Sequence, residues 1–325
     1  MTAIRSILRA IVAGAASALL VSPAVVAADA AAPVASAAKA KAAKAPAARA
    51  NEAKGSKAPA AVREPKVPKL TATEIVTKHV AARGGAQAWK AVQTMQLKGK
   101  LEAGKGDNIA RALKLDRKAG RKGTNADVAA ASVDLESNKQ ILLPFTLDLK
   151  RPNRMRLEVE FDGKTAVQVF DGKQGWKYRP FLNRKDVEPF TANEASTEAF
   201  RGDLDGPLVD SAAKGTKVAL EGSDLVETRP AYRLKVTPKS GPVRHVWIDA
   251  KTFLDVKMEG FPQRMDGKMH PVYVYQRDFR SVQGVLIPFV QETAVDGSPD
   301  THKLLVEKAA INPPFSDAVF SKPRA

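Results

Sequence analysis

The residue types that most often carry chemistry are absent from this sequence of 325 residues or widely spaced in it. It has no cysteine, which excludes a disulfide framework, a thiolate metal site, a cysteine nucleophile and a lipid-modified cysteine. The histidines are dispersed, and none stands at metal-ligand spacing with another histidine or a carboxylate. They are His79, His245, His270 and His302. The sequence therefore predicts no catalytic residue, no metal site and no cofactor.

Motifs of nucleotide-binding enzymes and of serine hydrolases are also missing from the sequence. The segment Gly172-Lys173-Gln174-Gly175 lies between two predicted strands with no helix after it, so we do not expect a phosphate cradle there. Catalytic carboxylates can lie far apart in a sequence. A hydrolase that uses dispersed Asp and Glu side chains is thus an alternative, and it would need two carboxylates that converge in a cleft.

Aromatic and aliphatic residues in alternating stretches are more informative than the polar residues. Wide curved sheets can enclose ligand cavities that their own side chains do not fill, and ordinary core packing is the alternative for each of these residues. We predict an apolar ligand-binding hollow. Its predicted lining is Met155, Leu157, Val159, Phe161, Val167, Val169, Trp176, Tyr178, Tyr232, Leu234, Val246 and Ile248.

Basic residues cluster where the chain enters one of these stretches, at Lys-Arg-Pro-Asn-Arg-Met-Arg (150–156). An arginine at such a rim can bind an anionic head group or an acidic patch on a partner protein. We interpret Arg151 and Arg154 as the candidates for this role. A solvated run of charges is the alternative.

Strands must position these residues. The stretches 154–161, 232–236 and 254–259 alternate between polar and apolar residues, which predicts strands with one buried face. Turn signals such as Asp162-Gly163 and Asp171-Gly172 separate them. We expect roughly nine to eleven strands in an antiparallel meander. Because so long a sheet must curl to cover its apolar face, the predicted fold is mainly β with helices (α+β), a curved antiparallel sheet forming an incomplete barrel.

Two helical regions are predicted to cover this sheet. The first begins near Thr71 or Thr73, either of which can cap it, and ends at Gly84-Gly85. The second lies in residues 186–213, which lack alternation and contain several possible capping residues. We expect the N-terminal helix and this mid-chain region to lie across the concave face.

The N-terminal segments predict export. In residues 1–27, Arg5 and Arg9 precede an apolar run that ends before small residues, which is typical of a cleaved secretory signal peptide. An uncleaved anchor is the alternative, although the run is shorter than the ~20 residues of a membrane span. We expect a soluble periplasmic protein without a lipid anchor.

Residues 28–70 are rich in Ala, Lys and Pro and predict a disordered basic tether. An anionic membrane surface is its expected partner, and a solvated spacer is the alternative. Part of the formal net charge of +17 lies in the two N-terminal segments, and the rest decorates predicted strands, so we expect no nucleic-acid partner. Residues 71–325 are expected to form one lipid-binding domain.

Three stretches of the chain combine a set of motifs in a particular order. They are PFTLDLKRPNRMRLEVEFDGKTAVQVFDGKQGWKYRPF (144–181), DGPLVDSAAKGTKVALEG (205–222) and INPPFSDAVFSKP (311–323). With these motifs the chain resembles the periplasmic outer-membrane lipoprotein-sorting proteins of the LolA/LolB type, over about residues 71–323. The resemblance implies a half-barrel covered by helices whose hollow holds lipid or lipoprotein acyl chains, with donor and acceptor proteins at the inner and outer membranes.

Two binding functions follow from these expectations. The first is a periplasmic carrier that binds the acyl chains of a lipoprotein or lipid and moves them between membranes. The second is an envelope module that senses or binds lipid or lipoprotein while its basic tether adheres to a surface. Neither function requires catalysis.

Overall fold

The computed structural model describes residues 65–105, 140–180, 186–265 and 267–324, and strands dominate this part of the chain. The strands are β1 (Thr94–Lys105), β2 (Gln140–Lys150), β3 (Arg154–Phe161), β4 (Lys164–Phe170), β5 (Gly175–Tyr178), β6 (Val187–Pro189), β7 (Lys217–Val226), β8 (Arg229–Thr237), β9 (Arg244–Asp249), β10 (Asp255–Glu259), β11 (Gln263–Met265), β12 (Lys268–His270), β13 (Val272–Val282), β14 (Val285–Val295) and β15 (Thr301–Ile311). The helices are α1 (Ala72–Ala82), α2 (Ala86–Ala91) and α3 (Ala192–Arg201), with a 3-10 helix at Asp317–Phe320.

Within the described residues, thirteen strands form one sheet in the order β6-β5-β4-β3-β2-β1-β15-β14-β13-β10-β9-β8-β7, and β11 pairs with β12 in a separate hairpin. Neighbouring strands run antiparallel. The two edge strands, β6 and β7, do not pair with each other, so the sheet stays open. The predicted mainly β fold with an incomplete barrel is confirmed. More strands form than expected because β5, β6, β11 and β12 are too short to show alternation.

Strand β3 illustrates why the sheet has a buried face. Met155, Leu157 and Val159 are buried, whereas the intervening residues are partly exposed. Leu157 is paired with Leu147 of β2, and Leu147 is paired with Leu97 of β1. Paired residues of neighbouring strands project to the same side of a sheet, so these leucines form one continuous apolar surface. We call this side of the sheet the inner face and the opposite side the outer face.

Helix α1 begins as predicted at Thr71, whose hydroxyl accepts from the Glu74 backbone N–H at 3.2 Å while the Glu74 carboxylate accepts from the Thr71 N–H at 2.7 Å. The helix ends before Gly84, where φ is +107°. A Cβ on Gly84 would lie 2.1 Å from the carbonyl oxygen of Gly284, so only glycine permits this close approach. The approach places α1 against the sheet.

Helix α3 occupies the centre of the region 186–213, and helical structure there was predicted. The first residues of that region instead form β6, which pairs with β5. Thr191 caps α3, and Glu194 completes the capping box. The Glu194 carboxylate also accepts two hydrogen bonds from Lys177 Nζ of β5, at 2.6 and 2.8 Å. Capping and the ion pair together fix the helix on the inner face.

The folded domain extends to Pro65, further than the boundary expected from composition. The Ser223 hydroxyl donates to the Pro65 carbonyl, and the Tyr232 hydroxyl donates to the Pro68 carbonyl, each at 2.9 Å. Val67 and Leu70 pack partly buried against the same apolar cluster. The signal peptide and the remaining tether expected in residues 1–64 lie outside the described residues. In the part of the chain that is described, no helix has the length and apolar character needed to cross a membrane.

Candidate functional site

A cavity of about 230 Å³ lies between the inner face and the covering elements, which are α1, α3 and residues 203–208. It is far larger than the roughly 10–15 Å³ that one water molecule needs. Its apolar wall comes from the middle of the sheet. This wall comprises Met95 and Leu97 of β1, Leu147 and Leu149 of β2, Leu157 of β3 and Leu304 of β15.

Charged side chains enter the cavity lining from β10 and from Arg83, the residue that follows α1. Arg83 and Asp255 form a buried ion pair with Nη1 3.5 Å from Oδ1, and the Arg83 guanidinium lies 4.5 Å from the centre of the Trp89 ring. His79 is buried beside them, and burial is the main reason that its pKa is lowered. Its Nδ1 lies 2.9 Å from the Phe253 carbonyl oxygen. Because a carbonyl only accepts, Nδ1 carries the proton and holds α1 to the loop before β10.

Arg244 enters the lining from the first position of β9. It is only 6% exposed, and its guanidinium carbon lies 4.1 Å from the ring centre of Phe200 in α3 and 3.4 Å from that of Phe261. Nη1 donates to the Glu259 carbonyl at 3.3 Å, whereas buried Nη2 has no hydrogen-bond partner among the described residues. Burial lowers the pKa of Arg244 to about 10, so the side chain remains cationic at neutral pH.

Segment 203–214 continues from α3 and is held by a network of charges. Lys214 Nζ donates to Asp203 at 2.7 Å and to Asp205. Asp205 also accepts from Arg151 Nη2 at 2.6 Å. Burial is the main reason that the pKa of Asp203 is raised to about 7, while hydrogen bonds from Arg151 and Lys214 hold the pKa of Asp205 below its usual value. This network closes the cavity beyond the end of α3.

The structure distributes the predicted lining residues over several locations. Leu157 and Val246 line the cavity. Met155 and Val159 lie on the same inner face but are buried in the core beside it, with Phe161 packed partly buried at its margin.

Three predicted lining residues of β8 and β9 lie in a separate apolar cluster. Tyr232, Leu234 and Ile248 pack with Ile75 of α1 and with Leu208. These residues lie on the same face of the sheet as Val246, since Leu234 is paired with Val246 and Tyr232 with Ile248. They support α1 and do not line the cavity.

The predicted lining residues of β4 and β5 lie on the outer face. Gln168 of β4 is paired with inner-facing Leu157, so its neighbours project to the other side. These outer residues are Val167, Val169, Trp176 and Tyr178, which pack with Phe315, Val319 and Phe320 of the C-terminal segment. Both faces of β4 are buried, so its sequence does not alternate and its inner phase could not be assigned.

The two predicted rim arginines contact the protein itself. Arg151 donates to the backbone carbonyls of Val92 and Trp89 at 2.7 and 2.8 Å, in addition to its pair with Asp205. Arg154 pairs with Asp317 of the 3-10 helix at 2.9 Å. Neither arginine lines the cavity.

Arg244 was missed by the sequence analysis, although a signal for it exists. It stands two residues before Val246 and four before Ile248, in the apolar phase of β9. A charged residue in that phase projects to the inner face. The contributions of Phe200 and Phe261 had no such signal, because their positions depend on how α3 and the loop after β10 pack.

Comparison with known proteins gives structural likeness only. No protein-family model and no curated protein matches the chain. A LolA superfamily protein from Nitrosomonas europaea is similar in structure, with 13% identity, coverage of 78% of this chain and 99% of the other, and a TM-score of 0.46. An outer membrane lipoprotein-sorting protein domain from Vibrio parahaemolyticus has 11% identity, coverage of 77% and 95%, and a TM-score of 0.45.

A DUF1329 family protein from Desulfovibrio piger has 12% identity, coverage of 77% and 97%, and a TM-score of 0.45. The descriptions of the first two structures name the type of protein that the sequence resembles, and both TM-scores are below 0.5. The fold itself rests on the strand order and covering helices of this chain.

Proposed function

We propose that this protein binds the acyl chains of a lipid or lipoprotein in the cavity beneath α3 and carries them between membranes. The observation that carries the proposal is the leucine-rich wall of the inner face beneath a helical cover. An acyl chain needs apolar surface along its length and little directional bonding. The wall offers such surface from four adjacent strands of the sheet, β3, β2, β1 and β15.

Burial of a methylene group contributes about 0.8 kcal/mol, so a chain of several methylenes would be held tightly in a rigid pocket. Release therefore requires a cover that can move. Polar contacts attach α3 and segment 203–214 to the sheet, and polar contacts can exchange with water at modest net cost. The covering elements suit uptake and release better than a continuous apolar seal would.

The proposal includes an exported location and membrane partners. Residues 1–27 would direct export, the basic tether before the domain would adhere to anionic lipid, and donor and acceptor proteins would load and unload the cavity. The leucine-rich wall favours binding of an acyl chain. Three carboxylates of the lining are each paired with a cation of the protein, Asp203 and Asp205 with Lys214 and Asp255 with Arg83. Among the described residues, no group of three or more histidine, aspartate or glutamate side chains is arranged to hold a metal ion.

Native mass spectrometry of the purified protein, with extraction of bound lipids, tests the proposal directly. We expect acyl-chain lipid to copurify and to be displaced by a fluorescent fatty acid. Met258 lines the cavity, so Met258→Trp adds a bulky ring there and should weaken fatty-acid binding at least tenfold. Leu225→Trp is the matched control, because Leu225 is 55% exposed and lies away from the cavity.

Equal binding by the two tryptophan variants, or a cavity that takes up no acyl chain, would contradict the proposal. Transfer is a separate measurement between donor and acceptor vesicles. Binding without transfer would favour the sensing function over the carrier.

A further inference from the structure

Among the described residues that line the cavity, Arg244 is a buried cation that forms no salt bridge. Lys177 and Arg83, the other buried cations that contact covering elements or line the cavity, are paired with Glu194 and Asp255. No carboxylate within the described residues forms a salt bridge with Arg244. Burial of an unpaired charge is costly, so the exception points to a partner that is absent from the folded chain.

The charge of Glu259 favours the cationic form of Arg244, but the Glu259 carboxylate has other contacts. The Glu259 carboxylate accepts from the His245 backbone N–H at 2.8 Å and contacts the His245 ring at 2.9 Å. Only the Glu259 backbone carbonyl reaches Arg244. The guanidinium therefore keeps Nη2 without a hydrogen-bond partner in the described structure.

The surroundings of Arg244 fix its orientation and exclude water. Phe200 and Phe261 lie close to its guanidinium, and the two rings meet edge to face with centres 6.3 Å apart. Such stacking leaves the edge of a guanidinium to donate hydrogen bonds. Arg201 of α3 lines the same cavity and adds a second positive charge, partly offset by Glu198.

We propose that Arg244 binds the negatively charged head group of the cargo, a carboxylate or phosphate oxyanion attached to the acyl chain. This inference rests on the proposed function, since the acyl chain would occupy the leucine-lined wall. Nη2 is buried in the structure, so the head group would reach it when α3 moves and Phe200 leaves the guanidinium. Charge-assisted hydrogen bonds from arginine to such oxyanions are short and strong. The site thus selects anionic amphiphiles over neutral ones of equal chain length.

Binding of three ligands with matched C18:1 chains tests the proposal: oleate, 1-oleoyl lysophosphatidylglycerol and the neutral 1-monoolein. We expect the unmodified protein to bind at least one anionic ligand tenfold or more tightly than monoolein, and tenfold corresponds to about 1.4 kcal/mol. Preference for oleate alone would identify a carboxylate as the partner, and preference for the lysophospholipid alone would identify a phosphate.

In the variant Arg244→Gln, the ratio of the affinities for the anionic ligands and for monoolein should fall to about one, while Arg244→Lys should keep part of the preference. Arg280→Gln is the matched control, because Arg280 also stacks on a phenylalanine at 4.4 Å but is exposed and does not line the cavity. Equal affinity of the unmodified protein for all three ligands would overturn the head-group site and leave acyl-chain binding standing. Failure of all three to bind would overturn both, and neither result depends on whether a variant folds.

Discussion

The two ends of helix α3 are attached to the sheet by different chemistry. At the N-terminal end, Glu194 completes the capping box of Thr191 and pairs with Lys177. The Glu194 and Lys177 side chains are almost fully buried. At the C-terminal end, Phe200 packs on Arg244, a buried cation that forms no salt bridge in the described structure. One attachment is electrostatically complete, and the other lacks an anion.

The difference between the two ends of α3 predicts that one affects the stability of the fold and the other affects ligand binding. Removing one partner of a complete buried pair leaves an uncompensated charge and destabilises the fold. Removing a cation that has no partner eliminates a desolvation cost, so the fold loses little. Truncation of either partner at Lys177 and Glu194 should therefore destabilise the fold, whereas Arg244 is the place where a ligand can contribute.

The largest effect is expected at the complete attachment. The variant Glu194→Ala should lower the free energy of unfolding by about 3–5 kcal/mol, because Lys177 would remain buried without a partner and α3 would lose part of its cap. Denaturant unfolding measures this change. Glu307→Gln is the control, since its pair with Lys100 is exposed and should contribute less than about 1 kcal/mol. A loss below 1 kcal/mol for Glu194→Ala would contradict the comparison.

In the absence of ligand, the free energy of unfolding should depend much less on the attachment at Arg244 than on the attachment at Lys177. We expect Arg244→Met to change the free energy of unfolding by no more than about 1 kcal/mol, because a lost cation–π contribution is offset by removal of a buried unpaired charge. Unfolding of delipidated protein measures this change. A loss as large as that of Glu194→Ala would show that both ends of α3 serve stability in the same way.

A third comparison concerns pH and the segment beyond α3. The pKa of Asp203 is raised to about 7 by burial, so the folded state binds a proton between about pH 4 and 7 that the unfolded state does not bind. The contribution of this carboxyl to stability is therefore lost as the pH rises through about 7. Asp205 has a lowered pKa and stays ionised above pH 5.

Thermal unfolding at pH 5 and pH 8 should show this dependence in the unmodified protein and a smaller decline, or a rise, in Asp203→Asn. The difference between the two proteins isolates Asp203 from His79 and His302, whose pKa values are lowered by burial and which act in the opposite direction. Identical pH profiles would show that Asp203 titrates normally.

The sequence predicted the elements whose signals are local. Alternation predicted β3, and the possible capping residues in 186–213 predicted helical structure in the region where Thr191 caps α3. The same reasoning failed for the lining residues of β4, because a strand with two buried faces has no polar phase. Its outer residues Val167 and Val169 are covered by Phe320, a contact between distant parts of the chain.

Long-range partners account for the rest of what the sequence could not predict. Arg151 was expected at a rim of the hollow. Instead it donates hydrogen bonds to Trp89, which precedes it by 62 residues, and to Asp205, which follows it by 54. The burial of Arg244 between two phenylalanines likewise depends on packing. Residue type and phase can place a side chain on a face of the sheet, whereas its partners depend on the tertiary structure.

Strand β15 has a consequence for how this domain forms. It lies between β1 and β14, and so joins the first run of strands to the second. Met95 is paired with Ile311, a separation along the chain that favours slow folding. Until β15 is in place, β1 and β14 are both open edges that can pair with other chains. The last strand therefore protects the domain from aggregation, and a chain that ended before Thr301 would expose both edges permanently.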